Sequence, residues 1–124
     1  MRDIVRAYIE KNQLLTDNRP VLVGVSGGAD SIALLTLLVE LGYSCIVAHC
    51  NFHLRGEESE GDEDLVRSWA EENGVRFHVT SFDTEAYAVK EGVSIEMAAR
   101  DLRYTWFDDL CKEHGYAAVA VAHN

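Results

Sequence analysis

The chain is poor in proline, with a single residue in 124, and it has only three cysteines. The cysteines are scattered and form no C-x-x-C pair, which argues against a disulfide framework or a zinc site and favours a reducing compartment. No apolar run is long enough to span a membrane, and the first residues show no signal-peptide pattern. We therefore expect a single cytoplasmic domain with no membrane partner.

Basic side chains are also scarce. The chain has 11 lysines and arginines against 21 acidic residues, a formal net charge of −10. Protein surfaces that bind nucleic acid are usually basic, so the chain by itself is a poor candidate for binding RNA. Either the function does not involve nucleic acid, or the basic contact surface lies elsewhere.

Apolar periodicity predicts an alternation of helices and strands along the whole chain. The predicted helices cover residues 3–15, 31–41, 60–73, 84–91 and 95–114, and the predicted strands cover 20–25, 44–49, 75–80 and 117–122. In the helix over 60–73, we expect Leu65, Val66, Trp69 and Ala70 to face the core. Such alternation indicates an α/β fold, with a parallel sheet covered by helices on both faces.

Polar segments follow the end of every predicted strand. They are the turn over 26–31, the loop from Asn51, Asp83, and His123 at the last strand. In parallel sheets, ligands bind at the carboxyl ends of the strands, where the strand order reverses. We therefore expect these segments to lie along one edge and to form the binding site.

The most informative segment is the turn after the first strand. It consists of Ser26, Gly27, Gly28, Ala29, Asp30 and Ser31. A strand, glycine turn and helix place backbone N–H groups at a helix N-terminus, which favours a phosphate. The glycines are expected to adopt positive φ angles and to let the backbone approach the ligand. Because Asp30 would repel a phosphate unless a cation lay between them, the turn indicates a nucleotide phosphate with Mg²⁺.

A second polar constellation, His49-x-Asn51-x-His53-Leu54-Arg55, follows the second strand. Imidazoles, an amide and a guanidinium can bind a nucleobase edge, a phosphate or a carboxylate. An ordinary solvated loop explains the spacing equally well. The acidic run over 57–64 is best interpreted as a first helical turn that favours the macrodipole.

On the long helix, Glu96, Arg100, Arg103 and Tyr104 share one face. A Glu96–Arg100 ion pair is one interpretation. The other is that Arg100 or Arg103 neutralises a polyphosphate. His123 is either a chain-end residue or part of the site.

The S-G-G-x-D-S turn between a strand and a helix resembles the PP-loop of the ATP pyrophosphatase superfamily. Together with the His49–Arg55 loop, the E-x-x-A-R-x-x-R-Y helix over 96–104 and Ala122-His123, it resembles the tRNA(Ile)-lysidine synthetase family. The resemblance implies a Rossmann-like fold of the adenine nucleotide alpha hydrolase type. It also implies a ligase that uses ATP to adenylate the wobble cytidine of an isoleucine tRNA, after which free lysine displaces AMP.

The resemblance further implies roles for individual residues. The 26–31 turn would cradle the ATP phosphates, and Asp30 would face Mg²⁺. Arg100 would contact phosphate or the activated base and, with Asp30, serve catalysis. Residues expected to bind substrate are His49, Asn51, His53, Arg55, Arg103 and His123.

The family pattern continues past the last histidine with acidic residues that this sequence does not contain. We therefore expect residues 1–124 to be the N-terminal part of a longer enzyme, truncated after the fourth strand. Alone it would bind ATP, lack activity and tend to self-associate through that strand. The alternatives are another PP-loop tRNA-modifying enzyme such as a thiolase, and a non-catalytic nucleotide-binding module.

Overall fold

The computed structural model describes residues 19–26, 28–54 and 56–122. The predicted helix over 3–15 lies outside these residues, as do Gly27, Arg55 and His123. The elements in chain order are β1 (Val21–Gly24), α1 (Ala29–Glu40), β2 (Cys45–Asn51), α2 (Glu57–Glu72), β3 (Phe77–Ser81), α3 (Thr84–Glu91), α4 (Ile95–His114) and β4 (Ala118–Val121). None of the helices in the described part of the chain is long and apolar enough to cross a bilayer.

The four strands form one sheet in the order β3-β2-β1-β4, and every neighbouring pair is parallel. The chain proceeds from β1 outward to β3 and then returns to the other side of β1 for β4. The order therefore reverses between β1 and β4, and their carboxyl ends flank the crevice in which such sheets bind ligands.

Helices cover both faces of the sheet. On one face, Leu35 of α1 and Val66 of α2 pack with Val23. On the other face, Phe107 of α4 packs with Leu22. Strand residues alternate between the two faces, and the central strands β1 and β2 are mainly apolar and buried, as expected for a parallel sheet covered on both sides. The predicted fold class is confirmed.

Gly24, the last residue of β1, lets α4 lie close to the sheet. A Cβ placed there would come within 2.8 Å of Phe107 Cζ, a distance that real side chains do not tolerate. The absence of a side chain at this position therefore seats α4 directly beside the 26–31 turn.

The predicted start of α1 and the predicted end of β2 need correction. Helix α1 begins at Ala29, with Gly28 as its N-cap, so Asp30 and Ser31 lie inside its first turn. Strand β2 extends to Asn51, whereas the sequence predicted that a loop starts there. The polar end of β2 still pairs with β3, through Asn51 and Ser81, because backbone pairing does not require an apolar side chain.

The prediction that Leu65 faces the core is wrong, since this side chain is 51% exposed. Val66 and Ala70 are fully buried, and residues four apart share one face of a helix. Leu65 lies about 100° round the helix from Val66, which turns it toward solvent.

The four helix starts fall into two kinds. Asp83 caps α3 by accepting a hydrogen bond from the Ala86 N–H, and Ser94 caps α4 by accepting one from the Met97 N–H. Helices α1 and α2 begin after Gly28 and Gly56, and no side chain caps either of them.

Candidate functional site

The two serines of the 26–31 turn hold it together. Ser31 Oγ accepts a hydrogen bond from the Ser26 N–H at 3.1 Å and donates to the Gly28 carbonyl at 3.1 Å. The Ser26 and Ser31 hydroxyls lie 3.0 Å apart, and Ser26 Oγ accepts from the Gly28 N–H at 3.2 Å. Ser31 is buried, whereas Ser26 is exposed. Ser31 therefore shapes the turn, and Ser26 presents a hydroxyl at its surface.

The start of α1 leaves its backbone donors open to a ligand. The first N–H groups of a helix have no partner within the helix, and Gly28 provides no side-chain acceptor for them. They face a pocket of about 250 Å³ between the ends of β1 and β4. The pocket is lined by Ser26, Gly28, Ala29, Asp30, Ser31 and Ala122. We call it the phosphate pocket, because uncapped amides at a helix start favour an anion.

The expectation that the glycines adopt positive φ is wrong at Gly28. Its φ is −76° with ψ 163°, an extended conformation that any residue adopts. A Cβ at Gly28 would meet only Ser26 Oγ, at 3.4 Å. Gly28 therefore contributes an open, uncapped helix start rather than an unusual backbone angle.

Asp30 lies in the first turn of α1, is exposed and lines the phosphate pocket. Within the described ranges, no three His, Cys, Asp or Glu side chains are grouped closely enough to hold a metal ion. Mg²⁺ is commonly bound through one or two carboxylates together with substrate phosphates. One carboxylate at the edge of a phosphate pocket fits that type of site.

A second pocket of about 190 Å³ opens beside the first, and Ser26 lines both. Its walls come from the ends of β1 and β2, the following loop, α2 and α4. They consist of Val25, Ser26, Ala48, His49, Cys50, Asn51, Phe52, Leu54, Ser59, Asp62, Arg103 and Phe107. We call it the nucleoside pocket, since apolar and aromatic walls with a few polar groups are typical of sites for small organic ligands.

Cys50 in this wall is not a reactive thiol. Burial raises its pKa to about 12, and the nearby Arg103 guanidinium only partly opposes that rise. The thiol therefore stays protonated at neutral pH, and nucleophilic reactivity requires the thiolate.

His49 is 2% exposed and links the two strand ends. Its Nδ1 lies 2.7 Å from the Val25 carbonyl oxygen. Because a carbonyl only accepts, Nδ1 carries the proton in this geometry, and in the neutral form of such a ring the lone pair lies on Nε2. Nε2 is buried and has no hydrogen-bond partner in the described part of the chain.

Asn51 is also 2% exposed, but its amide is engaged within the protein. Its Oδ1 accepts from the His53 N–H at 3.0 Å, and its Nδ2 donates to Glu60 at 3.2 Å and Glu63 at 3.4 Å. His53 has a φ of 54° and is exposed, with Nδ1 3.3 Å from Glu60 Oε1. The Asn51 amide thus braces the loop against α2.

The two arginines of α4 have different surroundings. Arg103 lines the nucleoside pocket, and its guanidinium lies 5.5 Å from the centre of the Phe52 ring. Arg100 is exposed, lies over the Tyr104 ring at 5.4 Å and belongs to the wall of neither pocket. Among the described residues, α4 has an ion pair between Lys112 and Asp108 but none between Glu96 and Arg100.

Sequence reasoning missed several wall residues, including Phe52, Ser59, Asp62 and Phe107. For two of them, Ser59 and Asp62, the sequence contains a spacing that could have indicated their position. Ser59, Asp62 and the buried Val66 are spaced three and four residues apart, so they share one face of α2. The acidic run was interpreted only as a first helical turn that favours the macrodipole, so this face of α2 was not considered.

The fold and the two pockets define a class of protein. A parallel α/β sheet that presents uncapped helix amides, two serines and one carboxylate at its switch point is a nucleotide-phosphate-binding domain. The chain belongs to the PP-loop domain family, whose model matches residues 2–124.

Curated relatives are similar over nearly the whole chain. A tRNA(Ile)-lysidine synthase from Parabacteroides distasonis is 58% identical over 120 residues, covering 97% of this chain and 27% of the relative. A tRNA(Ile)-lysidine synthase from Bacteroides thetaiotaomicron is 53% identical over 117 residues, covering 94% of this chain and 28% of the relative. The chain thus spans about a quarter of the length of these relatives.

Among solved structures, NMN synthetase from Francisella tularensis superposes with a TM-score of 0.66 at 13% identity. The match covers 91% of this chain and 49% of that one. It supports the Rossmann-like fold alone.

Proposed function

We propose that the chain is the ATP-binding and adenylating part of a tRNA(Ile)-lysidine synthase. The observation that carries the proposal is the phosphate pocket at the switch point, with the nucleoside pocket adjoining it at Ser26. An ATP molecule extended across both would place its phosphates at the start of α1 and its base between β1, β2 and α4. The names of the relatives support the particular reaction.

Adenylation depends mainly on positioning and on neutralising charge. The amides of the α1 first turn and the Ser26 hydroxyl would hold phosphate oxygens. Asp30 would hold Mg²⁺, which supplies charge neutralisation when bound. Arg103 would add positive charge from the nucleoside side, and we assign Arg100 a role toward the incoming base or phosphate.

The other residues predicted to bind substrate have contacting or supporting roles in this proposal. His49 would contact the nucleotide, whereas Asn51 and His53 would shape the loop over the pocket. Arg55 and His123 remain proposed substrate-binding residues. We propose free lysine and tRNA(Ile) as the further substrates, with the basic tRNA contacts outside this acidic chain, and a cytoplasmic location.

The first test is ATP–Mg²⁺ binding to the chain by calorimetry. Asp30→Ala should weaken ATP binding in the presence of Mg²⁺ by about tenfold and have a smaller effect with EDTA. Glu40→Ala is the matched control, because it removes an exposed carboxylate at the far end of the same helix. Equal affinities of the wild type and Asp30→Ala would refute the assignment of Asp30.

The catalytic part is tested on a protein that joins this chain to the remaining length found in its relatives. We expect ATP–pyrophosphate exchange that depends on tRNA(Ile), and lysine incorporation into that tRNA. A non-catalytic nucleotide-binding module would bind ATP and give neither. Sulfur transfer in place of lysine transfer would favour a thiolase.

We also propose that the isolated chain self-associates through β4. Within the described residues β4 pairs only with β1 and forms one edge of the sheet. An apolar edge strand presents unpaired N–H and C=O groups to another chain. Light scattering should show association that rises with concentration, and a monomer at high concentration would contradict this.

A further inference from the structure

We propose that His49 Nε2 accepts a hydrogen bond from a donor group on the nucleoside of the bound nucleotide, and thereby helps to select it. The inference rests on the proposed function, since it takes the pocket beside the phosphate pocket to hold a nucleoside. It assigns a specific atom to recognition.

The tautomer of His49 is determined by the protein. The 2.7 Å contact to the Val25 carbonyl requires a proton on Nδ1. A neutral imidazole has only one N–H, so Nε2 is then an acceptor and cannot donate. When the ring is neutral, the group that pairs with Nε2 is therefore an N–H or O–H donor.

Nothing in the described part of the chain provides that donor. His49 is 2% exposed, and Nε2 has neither a protein partner nor access to solvent. Buried polar atoms are nearly always paired, and leaving one unpaired destabilises the protein. A ligand that brings a donor to this position, with a small shift of the side chains that cover Nε2, would recover that energy upon binding.

The surroundings of His49 indicate what kind of ligand brings the donor. His49 is part of the wall of the nucleoside pocket, together with the apolar Val25, Ala48 and Phe107. A flat heterocycle with an amino group, or a ribose with hydroxyl groups, offers donors and also fits such walls. Because the phosphate pocket adjoins at Ser26, both donor types are available on one nucleotide.

The positions of the flanking groups argue against a structural partner. Asn51 lies two residues along β2, but its amide is committed to His53, Glu60 and Glu63. Another polar residue of this wall, Ser26, is committed to Ser31 and Gly28. Nε2 is thus the buried polar atom in this wall that still lacks a partner.

The test compares ATP with analogues that each lack one donor, by calorimetry on the full chain. ITP lacks the amino group of adenine, and 2′-deoxy-ATP and 3′-deoxy-ATP each lack one hydroxyl. One of the three should bind the wild type about tenfold more weakly than ATP, as expected for one buried uncharged hydrogen bond. The analogue that does so identifies the donor.

His49→Asn then removes the acceptor while keeping the contact to Val25. The asparagine Nδ2 occupies about the position of the histidine Nδ1 and can still donate to the carbonyl. In this variant ATP and the discriminating analogue should bind equally well. Tripolyphosphate, which has no nucleoside, is the matched ligand control, and its affinity should be unchanged.

Three results would overturn the inference. Equal binding of ATP and all three analogues by the wild type would do so without any variant. An analogue preference that persists in His49→Asn, with tripolyphosphate binding intact, would assign recognition to another group. If the wild type binds neither ATP nor tripolyphosphate, the proposed function is refuted as well. The first two results leave binding at the phosphate pocket intact and refute this inference alone.

Discussion

Two βα turns leave the same edge of the sheet and treat the following helix in opposite ways. After β3, Asp83 places a carboxylate on the first turn of α3 and accepts from the Ala86 N–H at 3.1 Å. After β1, Gly28 occupies the equivalent cap position of α1 and contributes no side chain. Both helices begin in a conformation that an ordinary residue can adopt, so backbone strain does not explain the difference.

The comparison shows how a binding turn differs from a structural one. A capping carboxylate stabilises a helix start by about 1 kcal/mol and satisfies the donors that an anion would need. At α1 this stabilisation is absent and the donors stay open. The turn is instead held by the buried Ser31, whose hydroxyl bonds to the Ser26 N–H and the Gly28 carbonyl and does not cap the first N–H groups of the helix.

Giving α1 the cap of α3 should produce the largest effect. Gly28→Asp is sterically permitted, since the φ of −76° suits an L-residue and a Cβ would meet only Ser26 Oγ at 3.4 Å. We expect ATP and tripolyphosphate affinity to fall by about a hundredfold or more, because like charges about 4 Å apart at a protein surface repel by about 4 kcal/mol. Calorimetry measures the affinities of the variant and the wild type for both ligands.

Gly28→Ala is the control for that experiment, since it adds the Cβ without the charge. The alanine variant should bind within about a factor of five of the wild type, a difference of about 1 kcal/mol. If the aspartate and alanine variants bind equally well, the open helix start is not the phosphate site.

Removing the support beneath α1 should have the next largest effect. Ser31→Ala deletes a buried hydroxyl and leaves the Ser26 N–H without its acceptor. The free energy of unfolding should fall by about 1–2 kcal/mol, as measured by urea denaturation. Thr36→Ala deletes a hydroxyl that bonds only to the preceding turn of the same helix and should cost less. Equal losses in the two variants would argue against a special role for Ser31.

Removing the cap of α3 should have the smallest effect. Asp83→Ala should lower the free energy of unfolding by about 1 kcal/mol and leave ATP affinity unchanged. Asp83→Asn, which keeps a capping oxygen, should retain most of the stability. A loss of ATP affinity in Asp83→Ala would mean that the two turns are not functionally distinct.

The sequence predicted the order of strands and helices because that order depends on local periodicity. Helices α3 over Thr84–Glu91 and α4 over Ile95–His114 were predicted at the residues where they occur. The first turn of α1 was misjudged by two residues, because Ser31 is also a good capping residue. Only the tertiary structure shows that its hydroxyl is turned back into the loop.

The site was predictable as a region but less so residue by residue. Spacing places Arg100 and Arg103 on one face of α4, and only the position of that helix on the sheet determines that Arg103 reaches the pocket. The contact of His49 with Val25 joins residues 24 positions apart. No local pattern contains such a contact, so its unpaired nitrogen could not be inferred from the chain alone.

The close contact at Gly24 has a consequence for redesigning the site. Arg103 lies one helical turn before Phe107, so the separation that Gly24 permits between β1 and α4 also determines how far the Arg103 guanidinium extends over the pocket. The width of the nucleoside pocket is thus set partly by a residue that does not line it. Attempts to admit a bulkier base should begin at Phe107, where a smaller side chain would also leave room for a Cβ at position 24.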